Sequence, residues 1–157
     1  MYYRHKDVPK VLGNKKPPPK EKKPKGLKSK TKPLTLVEQL DRVFSQFVRK
    51  SSADLTGICQ CYTCTTKKHW KQMQCGHFMS RKHKNTRWDT DNVRVQCNIC
   101  NENLNGNLVV YSENLVKECG KDILLELAVC ASQSVKFSKP ELEEMIYKYK
   151  ELLKSIV

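Results

Sequence analysis

Residues 61–100 read CYTCTTKKHWKQMQCGHFMSRKHKNTRWDTDNVRVQCNIC, and the Cys-x-x-Cys pair at each end of this stretch decides the fold. Two residues between thiolates let one tight turn direct both sulfurs at a single ion, and two such turns complete a tetrahedral site without an open position. The pairs therefore predict a structural zinc ion, with Cys59 and Cys75 as rival ligands and four metal-free buried thiols as the alternative. The four expected ligands are Cys61, Cys64, Cys97 and Cys100.

The charge of the chain favours a polyanionic partner. Of 157 residues, 30 are Lys or Arg and 16 are Asp or Glu, which gives a net charge of +14. A protein this basic most often binds nucleic acid. Residues 1–33 hold twelve basic and two acidic residues with six of the seven prolines, so we predict a disordered tail. Such a tail either keeps the protein in solution or adds non-specific affinity for phosphates.

The distribution of apolar residues excludes several classes of protein. No run approaches the ~18 apolar residues of a membrane span, and the first residues lack the apolar stretch of a secretory signal. A chain that is not secreted stays in a reducing compartment, where eight cysteines favour metal ligands or buried thiols over disulfides. We therefore expect a cytoplasmic protein without a membrane partner.

A helix is predicted just before the first cysteine pair. Thr35 and Glu38 fit a capping box, in which each side chain satisfies the backbone N–H group of the other. Apolar residues then recur at helical spacing to about Lys50. This stripe is expected to pack into the core, while Arg42 and Arg49 lie off it and face solvent or DNA.

The last third of the chain also has helical periodicity. Ser112 is expected to cap a helix that ends at Gly120, residues 121–131 form a second helix, and Pro140 opens a third. These helices are expected to be packing elements or a dimer surface. The chain thus divides into a tail (1–33), a core with its leading helix (34–120) and a helical extension (121–157).

Three polar residues have a specific order around the second cysteine pair. His77 follows a strand-like run, Asn92 precedes the pair, and Asn101 directly follows its last cysteine. This order resembles the HNH, or ββα-metal, nuclease motif of the four-cysteine type. The joint pattern of Cys-x-x-Cys, Gly-His-Phe, Thr-Arg-Trp-Asp-x-x-Asn and Gln-Cys-x-x-Cys-Asn is more closely similar to the NinG (Rap) family of lambdoid phage recombination nucleases, over residues 44–120.

The resemblance implies both a fold and an activity. The fold would be α+β, with a small zinc-stapled ββα-metal core between N- and C-terminal helices. The activity would be metal-dependent hydrolysis of phosphodiester bonds in branched or junction DNA, in phage or prophage recombination inside the bacterial host cell. A homodimer would suit an enzyme that cuts two strands of a junction.

The resemblance also assigns roles to individual residues. His77 matches the general base, and Asn92 matches the residue that braces the loop orienting it. Asn101 matches the ligand of a catalytic Mg²⁺ or Mn²⁺ ion. Asn105 lies four residues later, on the same face of the expected helix, and is a candidate second ligand or phosphate contact.

The sequence departs from the HNH pattern at Gly76, where many such enzymes carry a metal ligand immediately before the base. Asp89, Asp91 and His83 are the candidates to replace it. The NinG-like pattern has glycine there as well, so the departure does not by itself imply inactivity. It does support the alternative of a zinc-knuckle protein that binds nucleic acid without catalysis. A third hypothesis is a protein-interaction module that uses the C-terminal helices.

Basic residues cluster around His77 in the sequence, which favours contact with DNA phosphates over plain surface charge. Trp88 is expected to pack under their loop, or to stack on an unpaired base. The predicted DNA contacts are Arg81, Lys82, Lys84, Arg87 and Arg94.

Overall fold

The computed structural model describes residues 32–156. The tail predicted for residues 1–33 lies almost wholly outside this range. Pro33–Val157 form one compact unit. Within the described residues, no helix is both long and apolar enough to cross a membrane.

The described residues form helices and short strands, so the predicted α+β class is confirmed. The helices are α1 (Leu36–Ser51), α2 (Lys84–Arg87), α3 (Leu108–Cys119), α4 (Ile123–Ser132) and α5 (Lys139–Ser155). The strands are β1 (Ile58–Gln60), β2 (Lys67–His69), β3 (Gln74–His77) and β4 (Val93–Gln96). A 3-10 turn covers Trp70–Gln72, and a π-helical turn covers Ile99–Asn103.

Two antiparallel hairpins bring the cysteine pairs together. The first pair lies in the connection between β1 and β2, and the second pair follows the end of β4. In the other hairpin, β3 pairs with β4 so that His77 lies opposite Val93. The backbone N–H of Tyr62 donates to the Val95 carbonyl at 2.8 Å, which joins the first cysteine turn to β4. The hairpins therefore position both cysteine pairs and the candidate base.

Helix α1 forms as its sequence predicts. The Thr35 and Glu38 side chains make both hydrogen bonds of the capping box. The helix buries one apolar face, on which Phe44 packs edge-on against Tyr149 of α5, with ring centroids 4.9 Å apart. Truncating a buried aromatic side chain to alanine typically costs about 3–5 kcal/mol. The contact between α1 and α5 is therefore a substantial part of the core.

Two of the C-terminal helices differ from the prediction at their starts, α3 and α4, of which α4 begins at Ile123 and not at residue 121. Helix α3 begins at Leu108, so Ser112 is not its cap but an internal residue whose hydroxyl donates to the Val109 carbonyl at 2.8 Å. The helix ends at Cys119, because Gly120 adopts a φ of +99° that is strained for residues with a side chain. Helix α5 has Pro140 in its first turn, as expected.

Candidate metal centre and active-site cleft

The four cysteines of the two pairs form one cluster. Their Sγ atoms all lie within 4.8 Å of one another, and those of Cys64 and Cys97 are 3.8 Å apart. Four sulfurs at zinc-bonding distance from one ion are separated by about 3.8 Å, so the cluster fits a tetrahedral ion. Cys59 and Cys75 lie outside it. The prediction that these four residues could hold a metal ion such as zinc is confirmed.

Hydrogen bonds from neighbouring groups stabilise negative charge on the sulfurs of Cys61 and Cys64. The backbone N–H of Cys97 donates to Cys61 Sγ at 3.3 Å, and the Thr66 hydroxyl lies 3.3 Å from Cys64 Sγ. Burial opposes ionisation of Cys64, yet hydrogen bonds from Thr66 outweigh it and lower the pKa of this thiol to about 6. Burial raises the pKa of Cys100 to about 12. Thiolates repel one another, so a divalent cation is what allows all four to ionise together.

A cleft of about 360 Å³ lies between α1, β3 and the π-helical turn. It brings together His77, Asn101 and the predicted DNA contact Arg81, all of them singled out in the sequence. Two carboxylates that the sequence did not single out line it as well, Asp41 and Glu102. The remaining polar side chains of the lining are Ser45, Arg49 and Gln74.

The geometry of His77 suits a general base. Its Nε2 lies 2.9 Å from the Arg87 carbonyl oxygen, which can only accept a hydrogen bond. The Nε2 atom therefore carries the proton in the neutral ring, and Nδ1 keeps its lone pair. Burial lowers the pKa of His77 below its usual 6.5, although hydrogen bonds to the backbone of Arg87 and Cys75 oppose the shift. The ring is accordingly neutral near pH 7.

Asn92 holds the loop that follows His77. The side chain is fully buried. Its Oδ1 accepts from the Met79 backbone N–H at 2.6 Å, and its Nδ2 donates to the carbonyls of Met79 at 3.0 Å and Thr86 at 2.8 Å. These three bonds tie both ends of the loop to the residue that directly precedes β4. Asn92 does not line the cleft, so its contribution to the site is structural support.

The packing around Gly76 explains why this position has no side chain. A Cβ atom placed on Gly76 would lie 2.0 Å from Oε1 of Gln96. Gln96 is fully buried, and its Nε2 donates to the Thr63 hydroxyl at 2.8 Å and to the Gly106 carbonyl at 2.7 Å. The glutamine cannot move aside without breaking buried hydrogen bonds. An aspartate or histidine ligand at position 76 is therefore excluded by the fold.

The three residues proposed to replace that ligand, Asp89, Asp91 and His83, do not line the cleft. Asp89 accepts from the backbone N–H of Asp91 at 2.9 Å within a turn, and Nδ1 of His83 lies 2.9 Å from the Ala131 carbonyl in α4. Asn105 is absent from the cleft lining too. The π-helical turn ends at Asn103 and Asn105 has a φ of +47°, so the expectation that Asn105 shares a helix face with Asn101 is wrong.

One hydrogen-bonded pair links α1 to His77. Both carboxylate oxygens of Asp41 accept from the Arg87 guanidinium, and Oδ1 also accepts from the Trp88 ring N–H at 2.9 Å. Burial opposes ionisation of Asp41, but these bonds outweigh it and lower the pKa of the carboxyl. Arg87 also donates to the Arg81 carbonyl at 3.2 Å. The pair thus fixes the peptide whose carbonyl holds His77.

The predicted DNA contacts fall into two groups. Arg87 and Arg94 are both committed within the protein, Arg87 to Asp41 and Arg94 to Glu118 at 3.1 Å. Arg81, Lys82 and Lys84 are exposed. The two lysines line a groove together with Lys136, and Arg81 lines the cleft. Trp88 is buried, as the sequence predicts.

Comparison with known proteins identifies the family of this chain. A family model described as "Bacteriophage Lambda NinG protein" matches residues 12–157. The chain is 29% identical to Protein ninG of Escherichia phage 933W and 28% identical to that of Escherichia phage lambda, in each case over 92 residues, which are 58% of this chain and 43% of the relative. It is 31% identical to Protein ninG of Salmonella phage P22 over 85 residues, or 54% and 39%. No solved structure matches the chain.

Proposed function

This chain belongs to the bacteriophage lambda NinG family, and from that premise we propose that it is a metal-dependent endonuclease that hydrolyses phosphodiester bonds in DNA, of the HNH type. The observation that carries the proposal is the cleft shared by His77, Asn101 and Arg81. A half-buried imidazole held by the Arg87 carbonyl, an amide oxygen that suits a hard cation, and a guanidinium provide three functions of phosphodiester hydrolysis. Binding alone requires neither the imidazole nor the amide.

The proposed reaction begins at Nδ1 of His77, the ring nitrogen that the Arg87 carbonyl does not hold. Its Nδ1 takes a proton from a water molecule, and the resulting hydroxide attacks phosphorus. The bond from phosphorus to the 3′ oxygen breaks, and the electron pair leaves with that oxygen. A divalent cation held by Asn101 would stabilise charge on the phosphate and on the departing oxygen. The Arg87 carbonyl holds the imidazole in the required tautomer before the proton is transferred.

DNA is the proposed partner, and the exposed loop after His77 is its proposed contact. Arg81 places a positive charge in the cleft itself, while Lys82 and Lys84 extend that charge away from it. Lys136 adds a further positive charge to the groove that the two lysines line. Contacts of this kind hold the phosphate backbone and do not read sequence. We therefore propose little base specificity.

The wider biological function rests on the family alone. We propose a preference for branched DNA, a role in phage recombination within the bacterial cytoplasm, and a homodimer that cuts two strands. The matched segment covers less than half of the length of the curated relatives, so each of these is a proposal for this chain.

The decisive test is nicking by the full-length, zinc-loaded protein. Supercoiled plasmid and matched linear, forked and four-way DNA would be incubated with Mg²⁺, with Mn²⁺ and with chelator. We expect metal-dependent cleavage that His77→Ala reduces by about 10²–10⁴-fold. The matched control is His69→Ala, since His69 lies at the end of β2 and outside the cleft. Folded, DNA-binding protein without cleavage of any substrate would refute the nuclease function.

A second candidate function is a zinc-knuckle protein that binds nucleic acid without catalysis. The observation in its favour is the fit of Gln96 against Gly76, which excludes a metal ligand next to His77. This protein would bind DNA through Arg81, Lys82 and Lys84 and would lose no function in the His77→Ala variant. The nicking assay and a DNA-binding assay on that variant together distinguish the two candidates.

A further inference from the structure

We infer that Glu102 is the anionic ligand of the catalytic divalent cation, in place of the ligand that Gly76 cannot provide, and that Gln74 positions it. The inference rests on the nuclease function proposed above. It concerns how the cation is held, so it is testable by metal binding in the absence of DNA.

An amide alone is a weak ligand for a hard cation. Mg²⁺ and Mn²⁺ are held in proteins mainly by carboxylate oxygens and retained water molecules, and the oxygen of Asn101 carries no net charge. The position before the base is closed by Gln96. A carboxylate must therefore reach the cleft from another part of the fold.

Two carboxylates line the cleft, those of Asp41 and Glu102. Within the described residues, only Glu102 has a carboxylate oxygen that accepts no hydrogen bond. Both oxygens of Asp41 accept hydrogen bonds from Arg87, whose positive charge compensates the carboxylate. Glu102 is exposed at the edge of the cleft and forms no ion pair within the described residues. Its Oε1 accepts one hydrogen bond, and its Oε2 accepts none from the described part of the chain.

Gln74 connects Glu102 to Asn101. The Gln74 side chain donates through Nε2 to Oε1 of Glu102, and its Oε1 accepts from Nδ2 of Asn101 at 2.6 Å. Because Asn101 uses Nδ2 to donate to Gln74, its Oδ1 atom stays available for a cation. One amide thus orients both proposed ligands, as outer-shell groups commonly do in metal sites.

Consecutive placement supports the assignment. Asn101 and Glu102 lie in the π-helical turn Ile99–Asn103, which also contains Cys100, the last cysteine of the cluster. Helical turns with this irregular hydrogen bonding occur frequently at functional sites. The cysteine cluster therefore fixes the start of the turn. Gln74, at the start of β3, holds the side chains of Asn101 and Glu102 through hydrogen bonds.

The test is Mn²⁺ binding to full-length, zinc-loaded protein without DNA, followed by electron paramagnetic resonance of the free ion. We expect one Mn²⁺ per chain, bound at least 10-fold more weakly by Glu102→Gln and about 10-fold more weakly by Gln74→Ala. The matched control is Glu113→Gln, because Glu113 is an exposed carboxylate on α3 away from the cleft. Circular dichroism and zinc content would show that each variant is folded.

The outcomes separate this inference from the proposed function. If Glu102→Gln binds Mn²⁺ as tightly as the wild type, or if the wild type binds none, the inference is overturned even if the protein nicks DNA. If Mn²⁺ binding depends on Glu102 but no DNA is cleaved, the metal site stands and the nuclease function fails. If both hold, Glu102→Gln should also need a higher Mn²⁺ concentration for half-maximal nicking.

Discussion

Replacing Asn92 with alanine is expected to destabilise the protein by about 2–5 kcal/mol, because it removes three hydrogen bonds from a fully buried position. The Thr86 carbonyl would be left without this partner in the interior. The Met79 N–H and carbonyl are partly buried, so water would compensate them in part. For a domain of this size, at about 4 °C for each kcal/mol, such a change lowers the melting temperature by roughly 8–20 °C.

Urea and thermal unfolding followed by tryptophan fluorescence would measure this change. The control is Asn114→Ala, which removes one partly buried bond of 2.8 Å to the Tyr62 carbonyl and should cost about 1 kcal/mol. His77→Ala should likewise change stability little, since the ring makes one hydrogen bond in the described structure. Asn92→Ala should thus lose both stability and nicking, whereas His77→Ala should lose nicking alone.

Two results would refute this reasoning. Asn92→Ala that unfolds at the same urea concentration as the wild type would show that the loop does not depend on this side chain. Asn92→Ala of normal stability without nicking would instead place the amide in the chemistry itself. Either result would contradict the role of Asn92 as structural support for the loop after His77.

The metal centre, the proposed base and the basic tail each give a further prediction. Cys100→Ser should yield zinc-free protein that is unfolded or insoluble, whereas Cys130→Ser, outside the cluster, should keep both zinc and fold in metal analysis and circular dichroism. The acidic limb of the pH profile of nicking should have its midpoint below pH 6.5, because burial lowers the pKa of His77 and only the neutral ring is a base; a midpoint above 6.5 would contradict this. Deleting residues 1–33 should weaken DNA binding and flatten its salt dependence. The slope of the logarithm of the binding constant against the logarithm of the salt concentration should become shallower by roughly 0.9 for each phosphate that the tail neutralises, and an unchanged slope would exclude the tail as a DNA-binding segment.

Local patterns in the sequence were sufficient for the metal centre and for α1. A Cys-x-x-Cys turn is determined by residues next to one another, and the capping box at Thr35 and Glu38 needs a separation of only three residues. The start of α3 was not predictable in the same way. Asn107 is a residue type that often caps helices, but it precedes α3 with a φ of +47° and its side chain makes no capping hydrogen bond, so the sequence did not distinguish it from Ser112.

The carboxylates of the cleft were missed because their function depends on residues that are distant in the sequence. Asp41 and Arg87 are 46 residues apart, and Glu102 and Gln74 are 28 apart, so no sequence spacing indicates either pair. The reason for Gly76 was hidden likewise, because it depends on the buried packing of Gln96. Arg87 and Arg94 were grouped with the DNA contacts by sequence proximity, although the fold commits both to ion pairs.

The link from Asp41 through Arg87 to His77 makes the leading helix part of the candidate site. The cysteine cluster fixes the ends of the segment 61–100, but the carbonyl that sets the tautomer of His77 belongs to Arg87, and Arg87 is held by Asp41 on α1. Helix α1 is in turn held by α5, through the packing of aromatic rings. A fragment limited to the two cysteine pairs would keep the zinc ligands and lack the support of the base. The N- and C-terminal helices therefore serve the proposed chemistry as positioning elements, as well as enclosing the core.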